Sequence, residues 1–414
     1  MIIVEMDAAG DSRQMKTILT LFIAARLTIL FFYSPQGLLN AYTDYYYYYR
    51  TAQLSEQGYY PFVNMWYEYP PITAYLPQAA YGLTRQALPP GDVYSFSYQF
   101  FARLLGVILL VFDTGVLVLL QAIAARVWGQ ARAIHLAWVY AALSLPLLFW
   151  TYSHQAVAVF FLLLAIYLFL EGRPLGSAAA LGLGIAAKIT PVFLLAPALK
   201  FTWPQRGRAA AYGLVAGIVP LLTYLPFTLL GGWSWIAASF TAMARVGSYG
   251  TLWAMIDQNW GPGDYGPLET RLQLDQAGVI QANPSVIPGV LILGVFALLY
   301  ALVYFRPVDR SDPRHFIWFT TLTMIIFHLW SKGWSPQWVV MIIPLVLLSF
   351  PAGGGLRWVL WFTALILVEW LFSALTQAPV MASIFILLRT LLLVWIGWVL
   401  VRRLWSPGRL GQLS

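Results

Sequence analysis

A chain of 414 residues that is 60% hydrophobic and only 10% charged, with a mean hydropathy of +0.71, is excluded from the soluble globular class; such domains carry about 25% charged residues. The net charge of +8 does not signal nucleic acid, because Lys and Arg gathered in cytoplasmic loops give membrane proteins a basic balance. The absence of cysteine excludes disulfides and thiol chemistry, and the His residues at 135, 154, 315 and 328 lack metal-ligand spacing.

In chain order, residues 1–16 include Glu5, Asp7 and Asp11. They lack the basic start and small-residue cleavage site of a secretory signal, and read as an uncleaved cytoplasmic tail. Apolar runs suited to a ~30 Å hydrocarbon core predict spans at 17–33, 98–121, 133–151, 156–170, 175–187, 189–200, 209–230, 286–305, 315–330, 337–350, 357–373 and 380–401. The pair 175–187 and 189–200 is too short for two crossings, and predicts a helical hairpin with Lys188 at its tip, buried in protein. With the N-terminus inside, 15 of the 24 Lys and Arg fall in inner segments and 6 in outer ones. That bias fits the positive-inside rule; Arg26, Arg103 and Arg389 lie within spans.

Two long loops, 34–97 and 231–285, are then expected outside. The first is dense in Tyr, Trp and Pro, and its stretch ITAYLPQAAYGL, broken by Pro77, reads as a helix at the interface. The expected organisation is a tail (1–16), one membrane domain (17–405) and a second cytoplasmic tail (406–414). The fold class is an all-α polytopic membrane protein with about 12 transmembrane or re-entrant helices, and the expected location is the plasma membrane. Near its end, Glu369 and Arg389 fall at similar depths in consecutive spans. An unpaired charge at mid-membrane costs at least about 2.5 kcal/mol, so the two are expected to pair; the rival reading turns Arg389 toward an outer cavity.

The first loop opens with DYYYYYRTAQLSEQGYYPF and continues to YEYPP. Asp44 sits just beyond the first span, either as a helix cap within an aromatic belt or as a reactive acid at the membrane surface. His154 and Gln155 start one span. Lys188 sits at the short pair, and His328 and Lys332 end another span, four apart and hence on one face if the helix continues. These place an acid, donors and cations on one side of the membrane.

Here the chain resembles a family. Asp44, followed by Tyr, Ala, a Gly-x-x-Pro and Tyr69-Pro70-Pro71, is similar to the opening loop of membrane glycosyltransferases of the C type (GT-C). The nearest likeness is to polyprenol-phosphate-mannose-dependent bacterial α-mannosyltransferases. Gln155 matches their Gly-Gln, with His154 in place of Gly. Lys188-Ile189-Thr190-Pro191 matches their Lys-x-x-Pro, and Ser335-Pro336-Gln337-Trp338 their Ser-Pro-Gln-aromatic. The resemblance runs over residues 17–350; the last two spans match nothing diagnostic.

The resemblance implies a GT-C-like bundle and an inverting transfer of a hexosyl, first of all mannosyl, group from a polyprenyl-phosphate sugar to a glycolipid or lipid-linked glycan. Asp44 is then the catalytic base. Cations would neutralise the leaving phosphate, with Lys188, Lys332, His328, Arg245 and Arg103 as candidates; Glu68, Tyr69, His154, Gln155 and Gln337 are candidates for substrate binding. Bland readings stand beside these. Lys188 and Lys332 snorkel to headgroups, Arg103 anchors at the interface, His154 and His328 pack, and Glu68 orders the loop or ligates a metal. Asp257 and Asp264 form no tight acidic motif, so neither a dedicated metal site nor a cofactor is expected. The partners are the bilayer, the donor and the acceptor, with no nucleic acid. Rival readings are a transporter, against which no repeat between halves is found, and a non-catalytic membrane protein of the same fold.

Overall fold

The computed structural model describes residues 8–32, 44–143, 153–261, 263, 265–279, 282–376 and 379–405. Residues 1–7 of the first expected tail, all of the second (406–414), and Asp264 lie outside the described residues. All regular elements described are helices, joined by loops and two isolated bridges. Four helices have the length and apolarity to cross a membrane: Ser12–Phe32 (within α1, Ala8–Phe32), Phe96–Trp128 (α4), Arg206–Gly231 (α9) and Pro379–Trp405 (α16). This is a multi-pass membrane protein.

Other apolar runs are shorter. Gln155–Leu170 (α6) and Gly289–Tyr304 (α12) have 16 residues each, and Val339–Ser349 (α14) has 11. At ~1.5 Å per residue, 16 residues reach only about 24 Å, so these helices depend on neighbours to satisfy their ends.

Local chemistry sets the boundaries. Ser95 caps α4 by accepting from the Tyr98 N–H at 3.2 Å. Gly129, at φ +86°, separates α4 from Gln130–Ala142 (α5), a turn that a side chain would strain. Proline opens Pro71–Ala87 (α3), Pro174–Ala187 (α7) and Pro313–Trp330 (α13), where its missing N–H has no intrahelical partner to lose. Helix α3 covers the expected interfacial stretch with Pro77 inside it.

The chain breaks where a hairpin tip is expected. Lys188 is extended, a 3₁₀ turn runs Thr190–Leu194, and Leu195–Thr202 (α8) follows. Helix α7 packs against α6 and α9, and α8 against α9 and α13. Helices α13 and α14 are buried almost throughout and form the centre, whereas α12 buries only Ile292 and leaves its other faces apolar and exposed. A helix apolar on an exposed face belongs against hydrocarbon.

Charges inside the bundle are paired. Arg26 of α1 donates to Asp113 of α4 at 2.5 Å, and Tyr140 of α5 donates to the other carboxylate oxygen at 3.0 Å, with all three buried. Glu369 in Gly354–Thr376 (α15) meets Arg389 of α16 at 2.9 Å, so the expected pair is present. Arg389 also donates to the Gly250 carbonyl and stacks over Trp334.

Removing one partner of a buried pair strands the other and costs about 3–5 kcal/mol, whereas an apolar replacement of both is often neutral or stabilising. Asp113→Ala should therefore destabilise the protein by about that amount, and Arg26→Met with Asp113→Leu should recover most of the loss. Thermal unfolding in detergent checks both; an unchanged midpoint for Asp113→Ala contradicts the assignment.

Candidate active site

The tyrosine run forms a short helix, Tyr45–Gln53 (α2). Its period divides the run: Tyr45, Tyr48 and Tyr49 are buried, while Tyr46 and Tyr47 are exposed. Asp44 occupies the N-cap position, yet its side chain makes no capping bond. Instead Asp44 Oδ2 accepts from the Tyr48 hydroxyl at 3.2 Å, one turn along. The reading of Asp44 as a mere cap therefore fails. The carboxylate edges a cavity of about 1460 Å³, bounded by both long loops and by α12, α13 and α16.

Lys188 lines the same cavity from a position 144 residues further along the chain. Lys188 is extended rather than helical, and its Nζ lies 4.8 Å from the centroid of the Trp338 ring. The Thr73 hydroxyl of α3 donates to the Ala187 carbonyl at 2.7 Å and ties the first loop to this break. The segments carrying Asp44, Lys188 and Ser335–Trp338 thus converge on one space.

Neither charge is well solvated there. Burial pushes the Asp44 carboxyl up to about 6, against the hydrogen bond from Tyr48 and the attraction of Lys188, with Glu68 adding repulsion. Burial pushes the Lys188 ammonium down to about 7, against the pull of Asp44. Burial thus draws each group toward its neutral form, and the attraction between them opposes that.

The second loop is clamped onto the first. Arg271 donates to Glu68 Oε1 at 2.9 Å and Oε2 at 3.1 Å, and both residues line the cavity. Glu68 is therefore held in a fork, as an element of loop order. Trp66 donates to the Thr270 and Gln273 carbonyls at 3.1 Å each.

Beyond α13 the backbone of Tyr249 brackets residues 332–334, donating to the Lys332 carbonyl at 3.1 Å and accepting from Trp334 at 2.9 Å. Gly250, at φ +59°, passes so close to Trp334 that a Cβ would lie 2.6 Å from its carbonyl oxygen. Lys332 lines the cavity and donates to the Ser285 hydroxyl at 2.6 Å. Tyr69 and Gln337 also face the cavity.

Other expected site residues lie elsewhere. His328 and Lys332 do not share a helical face, because α13 ends at Trp330. His328 is buried in the bundle, its Nδ1 2.6 Å from the Met324 carbonyl and its ring against Trp334 and Trp338. His154 and Gln155 are buried and do not line the cavity; His154 sits behind Tyr48 and Tyr69. Arg103 bonds the carbonyl and side chain of Gln99 and the Phe31 carbonyl, apart from the cavity. Met243, Ala244 and Val246 line the cavity, but Arg245 does not; its guanidinium lies beside Gly278.

Glu369 lines the cavity while bonded to Arg389, so the pair forms part of the wall rather than a remote brace. Arg271 was not singled out in the sequence. Its partner lies 203 positions away, and a pairing at that distance leaves no local signal. Among the described residues no group of His, Asp or Glu is arranged to hold a metal ion.

No family model and no curated protein matches this chain in sequence. Among solved structures, it is similar to the oligosaccharyltransferase of Archaeoglobus fulgidus. The apo form matches at 14% identity and a TM-score of 0.44, over 93% of this chain and 55% of that one. The form with an inhibitory peptide and a dolichol-phosphate matches at 14% identity and a TM-score of 0.39, over the same shares. The form with Zn and sulfate gives 14% and 0.38, over 93% and 52%. The chain spans about half the length of these structures.

The Glu68–Arg271 fork carries the contact between the loops, so its loss should open them locally. Arg271→Ala is expected to speed amide hydrogen exchange across 268–278 by about 10-fold or more, with helices α13 and α14 unaffected. Equal exchange in wild type and variant contradicts that role.

Proposed function

We propose that this protein is a membrane glycosyltransferase that takes a hexosyl group, mannosyl first, from a polyprenyl-phosphate carrier on the non-cytoplasmic face. The observation that carries the reading is the convergence of Asp44 and Lys188 on one cavity, each desolvated and each brought there by a segment that resembles a GT-C motif. A carboxylate near neutrality suits general-base work, because the best base has a pKa close to the working pH.

In the reaction, Asp44 takes the proton of an acceptor hydroxyl. The hydroxyl oxygen bonds to the anomeric carbon as the carbon–oxygen bond to the phosphate breaks, and the phosphate leaves with the electron pair. Lys188, with Lys332 lining the same cavity, neutralises the charge that grows on the leaving phosphate. Fixed cations in a space with little water act more strongly than they would in solvent.

The cavity walls suit a lipid carrier. Val290 and Leu293 of α12 and Met381 of α16 line the cavity, and all three are partly exposed on apolar helices. A ligand with a charged head and an apolar tail can place the head by Lys188 and pass the tail between these helices into hydrocarbon. Phosphate in the cavity would also hold Lys188 charged above its pKa in the empty site.

Asp44→Asn should lower turnover by about 10²–10⁴-fold in a folded protein. For wild type, kcat/KM should rise with pH through about 6 as Asp44 ionises and fall through about 7 as Lys188 loses its proton. The alkaline limb of kcat should lie higher, because bound phosphate keeps Lys188 charged. Purified protein in vesicles with radiolabelled polyprenyl-phosphate sugar checks this. Label must move to a lipid or glycan acceptor; vectorial uptake without transfer supports a transporter, and wild-type turnover by Asp44→Asn removes Asp44 as the base.

A further inference from the structure

Behind Asp44 lies a buried hydrogen-bonded chain that runs from Tyr48, on the cavity lining, to His154, which does not line the cavity. Tyr48 sits one turn into α2, and its hydroxyl is 3.2 Å from Asp44 Oδ2 and 2.5 Å from His154 Nδ1. His154 stands just before α6, 106 positions from Tyr48. Tyr69 meets the imidazole edge-on, with centroids 4.3 Å apart and planes at 87°, and so fixes its plane. Tyr48 and His154 are 1% and 2% exposed, which leaves the imidazole no route to a sugar.

We propose that His154 is a positioning residue for Asp44: through Tyr48 it holds carboxylate oxygen Oδ2 and leaves Oδ1 to take the acceptor's proton. The inference rests on the reading of Asp44 as the base. It departs from the family pattern, where Gly precedes the Gln, and it replaces substrate binding as the role of His154.

A proton count supports it. A phenol has one proton, so when Asp44 is ionised Tyr48 gives that proton to Oδ2. The Tyr48 oxygen must then accept, and the Nδ1–H of a neutral imidazole is the donor in place. Nε2 is left as a bare acceptor, and it is a buried atom with no hydrogen-bond partner among the described residues. An imidazolium would instead bury a charge and an unpaired N–H. Burial and the Lys188 cation both hold His154 neutral, well below the ordinary imidazole range.

The ionisable groups around the chain act consistently. Lys188 opposes a charge on His154 and favours one on Asp44. Tyr67 and Tyr69 are held in their neutral phenol forms by burial. Glu68 is tied to Arg271. The Tyr48 hydrogen bond favours the ionised carboxylate, and an Nδ1–H donating to Tyr48 strengthens that bond by polarising it.

In the reaction the acceptor proton goes to Oδ1 of Asp44. His154 and Tyr48 exchange no net proton, so their loss should affect the carboxylate's affinity and aim rather than donor binding.

The test uses the full chain in detergent with His154→Phe, His154→Asn, Tyr48→Phe and the double variant Tyr48→Phe/His154→Phe. Turnover is measured against pH, and the Asp44 carboxyl is titrated by infrared difference spectroscopy against Asp44→Asn. His154→Phe and Tyr48→Phe should each lower kcat by about 10- to 100-fold, with KM for the donor little changed. Both should move the Asp44 midpoint upward from about 6. The Asn amide can place an N–H near Nδ1, so His154→Asn should recover most of the loss, and the double variant should be no worse than Tyr48→Phe.

An unchanged Asp44 midpoint in Tyr48→Phe or His154→Phe overturns the proposal. So do additive losses in the double variant, or a His154→Asn as impaired as His154→Phe. If His154→Phe fails to fold, Tyr48→Phe decides through the same titration. Absence of turnover by wild type would sink the transferase reading alone, because the titration does not depend on activity.

Discussion

A charge inside a membrane bundle must meet an opposite charge or lose its own, and the placement of polar residues in this protein follows from that constraint. Arg26 with Asp113 and Glu369 with Arg389 answer it within the bundle, and Glu68 with Arg271 does the same where the two long loops meet, each with a partner within 2.9 Å. Asp44 and Lys188 answer it incompletely. They face one cavity and attract each other, but burial still drives both toward neutrality. A site left in that state gains most from a ligand that brings its own anion and its own proton to give up. A lipid phosphate and an acceptor hydroxyl together supply them.

The aromatic residues make such a site affordable without water. Trp338 offers its π face to Lys188, Trp334 to Arg389 and Trp66 to Arg271. A ring face stabilises a cation while adding no competing acceptor; Arg389 and Arg271 are bonded to carboxylates as well, whereas Lys188 makes no such ion pair among the described residues. The tyrosines do the complementary work for the acid, with Tyr48 donating to Asp44 and Tyr69 holding the plane of His154. The density of Tyr and Trp in the first loop is thus more than an interfacial belt.

Much of this was legible in the sequence where the signal is local. Apolar runs located the helices, and the break at Lys188 followed from two runs too short to cross. The depth of Glu369 and Arg389 predicted their pairing because both positions are counted along regular helices from known ends. Periodicity over the tyrosine run required some rings to face protein, which Tyr45, Tyr48 and Tyr49 do. The failures share a different cause. Lys332 and His328 were tied by helical spacing, but α13 stops between them. Arg271 with Glu68 and His154 with Tyr48 are contacts across more than a hundred positions, set by how loops fold back. Spacing in the chain carries no record of that.

The account stands on the identity of what fills the cavity. Native mass spectrometry of the protein extracted with its own membrane lipids tests this most directly. The account predicts a retained isoprenoid phosphate, with or without its sugar, that is lost when Lys188 is changed to Gln and kept when Arg103, which lies apart from the cavity, is changed to Gln. Retention that is indifferent to Lys188, or a protein that binds only bulk phospholipid, would contradict it.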